Sequence, residues 1–393
     1  MTAPMPPLGL YCHVPFCVST CDFCAFYQEK PRRGDIARYL DGVERELELQ
    51  APDRAASTFF WGGGTPGILA PEDLSRLGRA FLRANGTAPA EWTVEVAPAT
   101  VTRPRLAALR ELGVTRVSMG VQSFDAATLS ALGRQHTPRQ IYQAYEWIQE
   151  AGFRDTSLDL IFAVPGQDEA RWSADLAEAV RLAPHHISTY CLTFEEDTAL
   201  YVKLSRGRVS VDAERDAALY RTTWAFLEER GYAQYEISNF ARAGHACVHN
   251  LNTWRMAEWL GYGPAAASQW GGRRFQNPAN LERWLGGVAA GDIGAVREQV
   301  VPLTASSLLA DAIVFGLRMN EGITLAALEQ RFGATAPAAL HELGARLVEE
   351  GLFADGTDCW RLTLEGRLRA DAIGVALLEC FDGTDEKGAG GVA

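Results

Sequence analysis

No apolar run in this sequence approaches the roughly 20 residues that a bilayer-spanning helix needs, so no transmembrane segment is expected. The first ten residues carry no positive charge and no long apolar core, which argues against a secretory signal. Positive charge is also in short supply: 37 Lys and Arg stand against 49 Asp and Glu, a net charge of −12. Such a balance disfavours a general nucleic-acid binder, because neutralising phosphates takes a surplus of cations. There is no internal repeat and no low-complexity stretch before the C-terminal tail. With 393 residues and 47% hydrophobic content, the chain can bury a sizeable core without disulfides. The expected compartment is the cytoplasm, where the eight cysteines serve as thiols, metal ligands or catalysts.

Over the first 240 residues, β-rich apolar runs alternate with amphipathic helical stretches. Strands are expected at Leu8–Val14, 58–61, 92–96, 116–121, 157–163 and 187–194. Between them, Asp35–Leu49 carries Ile36, Tyr39, Leu40, Val43 and Leu47 on one helical face. Stretches 71–83, Arg103–Leu112, Pro138–Ala151 and 168–182 read likewise, three of them with Pro near the first turn. This alternation implies parallel strands with crossover helices. The expected fold is α/β: a partial (β/α)6 TIM-like barrel over residues 1–240 with a smaller C-terminal α+β, winged-helix-like domain over 301–381. The rhythm is lost in 241–300, taken as a linking region, and the polar, Gly-rich residues 382–393 are expected to be disordered.

The cysteines are unevenly placed. The first strand runs into His13-Val-Pro-Phe-Cys17-Val-Ser-Thr-Cys21-Asp-Phe-Cys24, putting three thiols in one short loop at the expected mouth of the barrel. A [4Fe–4S] cube usually takes four cysteines, so three leave one iron open. Two other readings stand beside this one. The thiols could be reduced, packed cysteines, or Cys21 and Cys24 could form half of a zinc site completed by Cys247 and His249. Cys12 lies on the strand and reads as a packed thiol.

Further candidates sit at the ends of the later strands. Gly62-Gly-Gly-Thr-Pro66 follows strand two; it permits close backbone approach to a ligand and equally suits a tight βα turn. Glu95 ends strand three, and Gln122 ends strand four. Asp159 lies inside an apolar strand and needs a partner, for which Arg134 is the candidate.

A Cys-x3-Cys-x2-Cys loop after a first strand, with Phe23 before the last Cys, resembles the radical S-adenosylmethionine superfamily. In that family the cofactor chelates the open iron, and an electron from the cluster cleaves it to a 5′-deoxyadenosyl radical. Tyr11 to Cys17, Gly62 to Pro66, Gly120 to Phe124, Asp159-Leu-Ile and Tyr235 to Phe240 together resemble its oxygen-independent coproporphyrinogen oxidase-like branch. The resemblance implies cluster ligation by Cys17, Cys21 and Cys24. It places Tyr11, Gly63 and Glu95 on the cluster-bound S-adenosylmethionine. It matches Phe23, Gly64, Thr65, Gln122, Arg134 and Asp159 to a second cofactor site.

Within that branch the oxidases carry a fourth Cys two residues after the third, and a long segment ahead of the cluster. Here Cys24 is followed by Ala25 and Phe26, and the cluster begins at residue 17. Both departures resemble the branch's heme chaperones instead, which implies heme as cargo, acceptor hemoproteins as partners, an electron donor for the cluster and, at most, peripheral membrane contact. The heme motif of that group, His-Asn-x-x-Tyr-Trp, is matched by His249-Asn-Leu-Asn-Thr253-Trp254 with Thr in place of Tyr. His249 is thus either an axial ligand to heme iron or a hydrogen-bonded structural residue. The alternatives to a chaperone are coproporphyrinogen III oxidation and another radical enzyme on the same scaffold. Trp254, Trp259, Trp270 and Trp284 are expected in the core.

Overall fold

A computed structural model describes residues 6–356 and 359–382. The expected disordered tail lies, apart from residue 382, outside the described residues.

Six parallel strands form the heart of the molecule: β1 Leu8–Val14, β2 Thr58–Gly63, β3 Glu91–Val96, β4 Arg116–Gln122, β5 Asp155–Phe162 and β6 His186–Cys191. The connecting helices are α1 Asp35–Leu49, α2 Pro71–Asn85, α3 Arg103–Leu112, α4 Ala126–Ala131, α5 Pro138–Ala151 and α6 Glu169–Arg181. Local chemistry fixes their ends. Thr102 and Asp168 accept the backbone N–H three residues on, and Thr137 with Gln140 forms a capping box. Beyond β6 lie α7 Ala199–Ser205, α8 Ala213–Glu228, β7 Ala233–Glu236, β8 Asn239–Ala241 and α9 Val248–Trp254.

The stretch expected as a linking region is built into the sheet. Strands β9 Glu258–Tyr262, β10 Ala267–Trp270, β11 Arg273–Gln276 and β12 Glu298–Pro302 extend it to twelve, in the order β12-β11-β10-β9-β1-β2-β3-β4-β5-β6-β8-β7, with α10 Leu281–Ala289 before β12. β9 pairs parallel with the free side of β1, Gly9 opposite Trp259, so the first strand becomes central. The outer face of the sheet packs on the helices around Phe59, Trp61, Phe81 and Trp92, whose rings meet edge to face at 5.1–5.7 Å. Of the four tryptophans expected in the core, only Trp284 is fully buried.

A second core, centred on Leu309, Ile313, Leu340, Leu347 and Leu377, holds α11 Ala305–Leu317, α12 Leu325–Phe332 and α13 Ala338–Glu349, followed by α14 Leu364–Leu368, whose Leu368 packs against the first core, and α15 Ala370–Asp382, which returns to the second. Single bridges Phe353–Leu362 and Ile323–Trp360 make its small β element. Among the described residues, no helix is long and apolar enough to cross a membrane.

Candidate functional site

At the C-terminal ends of the parallel strands opens a cavity of about 740 Å³. Period-two alternation aims one side of each strand into it: Thr93 and Glu95 from β3, Arg116, Ser118, Gly120 and Gln122 from β4, Ser157 and Asp159 from β5, His186, Ser188 and Tyr190 from β6. Its mouth is the cysteine loop. That loop closes at a neck where Cys17 N–H donates to Glu29 O at 3.0 Å and Glu29 N–H donates to Pro15 O at 2.6 Å. Cys17, Cys21 and Cys24 are all half-buried and all line the cavity. Cys17 Sγ lies 3.4 Å from Thr65 Oγ1, and Arg134 Nη1 donates to Cys21 Sγ at 3.3 Å. Burial pushes the Cys17 and Cys24 thiols up; the Arg134 guanidinium pulls weakly the other way.

Two glycines form the seat under this loop. Gly63 has φ +95°, and a Cβ there would lie 2.4 Å from the His13 ring. A Cβ on Gly64 would lie 2.7 Å from Val14 O, 2.8 Å from Phe16 O and 2.9 Å from Phe16 N. The same backbone is pinned by Gly64 N–H to Val14 O and Thr65 N–H to Phe16 O, both at 2.8 Å. On its far side the loop is clamped by Asp22, which forms an ion pair with Lys203 at 2.7 Å and accepts the Leu200 N–H on α7 at 2.9 Å.

Glu95 accepts the Gly63 N–H, and its carboxyl is pushed up to about 8, first by burial and then by the charge of Asp159. Asp159 is raised by burial as well, although Ser118 and Ser188 hydroxyls donate to it at 3.0 and 2.7 Å. The expected Asp159–Arg134 pair does not form. Register sets Ser118 and Ser188 beside Asp159, while Arg134 turns its Nη groups to Cys21 Sγ and Gly120 O. Gln122 lines the cavity from a left-handed backbone, φ 66°.

The cavity thus gathers Cys17, Cys21, Cys24, Phe23, Gly63, Gly64, Thr65, Glu95, Gln122, Arg134 and Asp159. Tyr11 is not on its wall: its hydroxyl meets His13 Nδ1 at 3.1 Å and its ring leans on Phe60. His249 sits at the opposite end of the strands, buried, its Nδ1 2.9 Å from Thr58 Oγ1 and its ring 5.2 Å from that of Phe60. Thr253, in the motif's Tyr position, turns its hydroxyl back onto His249 O at 3.0 Å. Cys247 is buried and donates to Glu91, and the Nδ1 of His249 meets Thr58 at the far end of the strands, so His249 does not join Cys21 and Cys24 as the zinc alternative requires. Cys12 is a packed thiol against Tyr39, pushed up to about 12 by burial.

Sequence reasoning missed Arg116, Ser118, Ser188 and Tyr190. Their signal was available as polar residues at alternate positions of apolar strands. Arg116 is fully buried at the floor between Glu91 and Asp155, and donates to the carbonyls of His245 and Ala246.

Comparison with known proteins bears on this arrangement. Residues 11–179 match the radical SAM superfamily model, and residues 303–369 match the HemN C-terminal domain. The heme chaperone HemW of Bacillus subtilis is 30% identical, over 94% of this chain and 98% of that protein. HemW of Mycobacterium tuberculosis is 35% identical over 96% of each. The solved structure of the coproporphyrinogen III oxidase HemN from Escherichia coli, a radical SAM enzyme, superimposes with a TM-score of 0.83 at 26% identity, covering 95% of this chain and 90% of that one. The chain therefore belongs to the radical S-adenosylmethionine superfamily, in its coproporphyrinogen oxidase-like branch and close to the heme chaperone HemW.

Proposed function

We propose that this protein is an iron–sulfur heme chaperone that binds heme and passes it to acceptor hemoproteins in the cytoplasm. The observation that carries the reading is the mouth of the cavity. Three half-buried thiols face it, and the positions beyond Cys24 hold Ala25 and an exposed Phe26 rather than a fourth thiol. The naming of full-length relatives supports it.

The residues fit the cofactors of the superfamily. Cys17, Cys21 and Cys24 would hold a [4Fe–4S] cluster, with the Gly64 seat too tight for any side chain and the Arg134 guanidinium beside Cys21 offsetting thiolate charge. Arg134 Nε is buried without a protein acceptor, leaving a donor for a ligand in the cavity. Gly63 and Glu95 would receive S-adenosylmethionine, with Tyr11 supporting the wall through His13. Phe23, Gly64, Thr65, Gln122, Arg134 and Asp159 would line the space for a second molecule. Bound together, cluster and cofactor supply one-electron chemistry at a sulfonium, drawing on an external electron donor. The chain's own part is to orient the cofactor and to exclude water with the cysteine loop.

The test is anaerobic reconstitution followed by heme titration. About four irons per chain are expected, abolished by Cys17→Ala, Cys21→Ala or Cys24→Ala. One heme per chain with a Soret band is expected next; wild-type protein that binds none sinks the chaperone reading. The likeness to the oxidase structure favours a second reading, oxidative decarboxylation of coproporphyrinogen III. Anaerobic turnover of that substrate by cluster-replete protein would establish it in place of the first.

A further inference from the structure

The cysteine loop has an outer side, which no cofactor role above uses. Val18 is 61% exposed and Phe26 70%, the two largest exposures of any large apolar side chain among the described residues. Both lie on the stretch that carries Cys17, Cys21 and Cys24. The Gln28 side chain donates to Thr20 Oγ1 at 2.6 Å and ties the two limbs of the loop together. Single exposed apolar residues are ordinary, but the two most exposed ones on one short loop mark an interaction surface. Helix α7, fastened to the loop by the Lys203–Asp22 ion pair and by the Leu200 N–H on Asp22 O, adds an exposed Val202.

The charge around this face is distinctive. The loop exits through Lys30-Pro-Arg32-Arg33, the one place in the sequence where three cations fall within four residues. Lys30 and Arg33 are exposed and have no ion-pair partner among the described residues. Arg32 faces Glu282, which Arg38 already holds. Just past α7, Arg206 and Arg208 are exposed and likewise without an ion pair among the described residues, and the Arg208 N–H donates to Lys203 O beside the Asp22 anchor. The acids of the rim are placed apart. Asp22 is taken by Lys203 and Glu29 by the Tyr27 hydroxyl, while Glu195, Glu196 and Asp197 are exposed where α7 begins. In a chain of net charge −12, the rim is therefore cationic where the loop exits and where α7 ends, and acidic on the β6 side.

We propose that this outer face, with Val18 and Phe26 framed by Lys30, Arg33, Arg206 and Arg208, is the docking surface for a small acidic protein that delivers single electrons to the cluster. This rests on the cluster assignment above, because the loop is the wall between the three thiols and solvent. The apolar pair supplies the desolvated contact. The free cations steer an acidic partner, and the acidic flank repels it from the β6 side, which fixes its orientation. One electron passes from the carrier to the cluster, and no atom is exchanged.

The test measures, by calorimetry, binding of oxidised flavodoxin, an acidic FMN protein used as the probe, to full-length, cluster-reconstituted protein. Binding should weaken at least about tenfold between ~20 and ~200 mM NaCl. The double variant Lys30→Glu, Arg33→Glu should weaken it at least about tenfold at low salt, and Val18→Asp, which removes apolar contact and adds a like charge, should do the same. Arg361→Glu, at an exposed, unpaired cation of the C-terminal helical domain, should leave it unchanged. Iron content, and reduction of the cluster by dithionite, which needs no docking, should match wild type in every variant. The proposal is overturned if the double variant and Val18→Asp both bind within about twofold of wild type, or if wild-type protein with full iron binds no flavodoxin. Binding of wild type to anionic lipid vesicles that is lost in both variants, while their flavodoxin binding is kept, assigns the surface to a membrane and overturns it too. Wild-type protein that takes up no iron overturns the cluster assignment and this surface with it.

Discussion

Replacing Gly64 by alanine puts a methyl group where three backbone atoms already stand, at 2.7, 2.8 and 2.9 Å. Ordinary contact begins at 3.4 Å, so the strand-one loop must retreat from strand two. None of the three atoms is the tip of a flexible side chain. Two of them, Val14 O and Phe16 O, accept the hydrogen bonds from Gly64 and Thr65 that pin the loop, and a retreat stretches both. Overpacking of this kind costs ~1–3 kcal/mol, and two weakened hydrogen bonds add ~0.5–1.5 kcal/mol each. Cys17 follows Phe16 directly, so its thiol moves with the loop. Gly64→Ala is therefore expected to lose about 2–6 kcal/mol in denaturant unfolding and to hold less than half the wild-type iron after anaerobic reconstitution. Gly286→Ala, inside α10 where a Cβ meets nothing within 4 Å, is the control: iron content should stay at the wild-type level and stability should rise by ~0.5–1 kcal/mol. A Gly64→Ala protein with full iron and unfolding within ~0.5 kcal/mol of wild type would refute the reasoning.

Other expectations follow from the same contacts. With its carboxyl pushed up to about 8, Glu95 is mostly protonated at pH 7 in the empty protein, and a bound cation should drive the proton off. Calorimetric titration with S-adenosylmethionine in buffers of different ionisation heat should show proton release at pH 7, absent in Glu95→Gln; no release in wild type contradicts this. Because the folded value lies above the free one, Glu95 contributes folding stability that is complete below about pH 4.5 and is lost as pH rises through about 8. Arg116→Met leaves Glu91 buried without its cation, while Asp155 keeps Arg154, and should cost ~3–5 kcal/mol, read from the unfolding midpoint. Gly42→Ala drives a Cβ to 2.6 Å from the Trp284 ring and should cost ~1–3 kcal/mol in the same assay without changing iron content.

The parallel strands were legible because each is an apolar run followed by a helical stretch, several of them with a side-chain cap, so local preference and tertiary role agree. The cysteine loop was legible from spacing alone. Strands β9 to β12 were not: they are four or five residues long, interrupted by Gly261, and gain stability only by pairing with β1 and one another. Helix α9, Val-His-Asn-Leu-Asn-Thr-Trp, is polar and two turns long, and is held by Glu91 accepting its first N–H groups. The partners of Asp159 escaped notice because cross-strand register is invisible in one dimension. The pairing of Asp155 with His245 escaped for the same reason, since no local pattern joins residues 90 positions apart.

The central place of β1 has a consequence for biogenesis. One flank of this strand pairs with β2, made early, but the other waits for residues 258–262. At synthesis rates of ~5–20 residues per second, the cysteine loop leaves the ribosome at least about 10 s before its second flank exists. The long separation also raises contact order and slows closure of the sheet. The seat of the cysteine loop is thus complete only once residues 258–262 have paired with β1, and the proposed cluster would enter after that point.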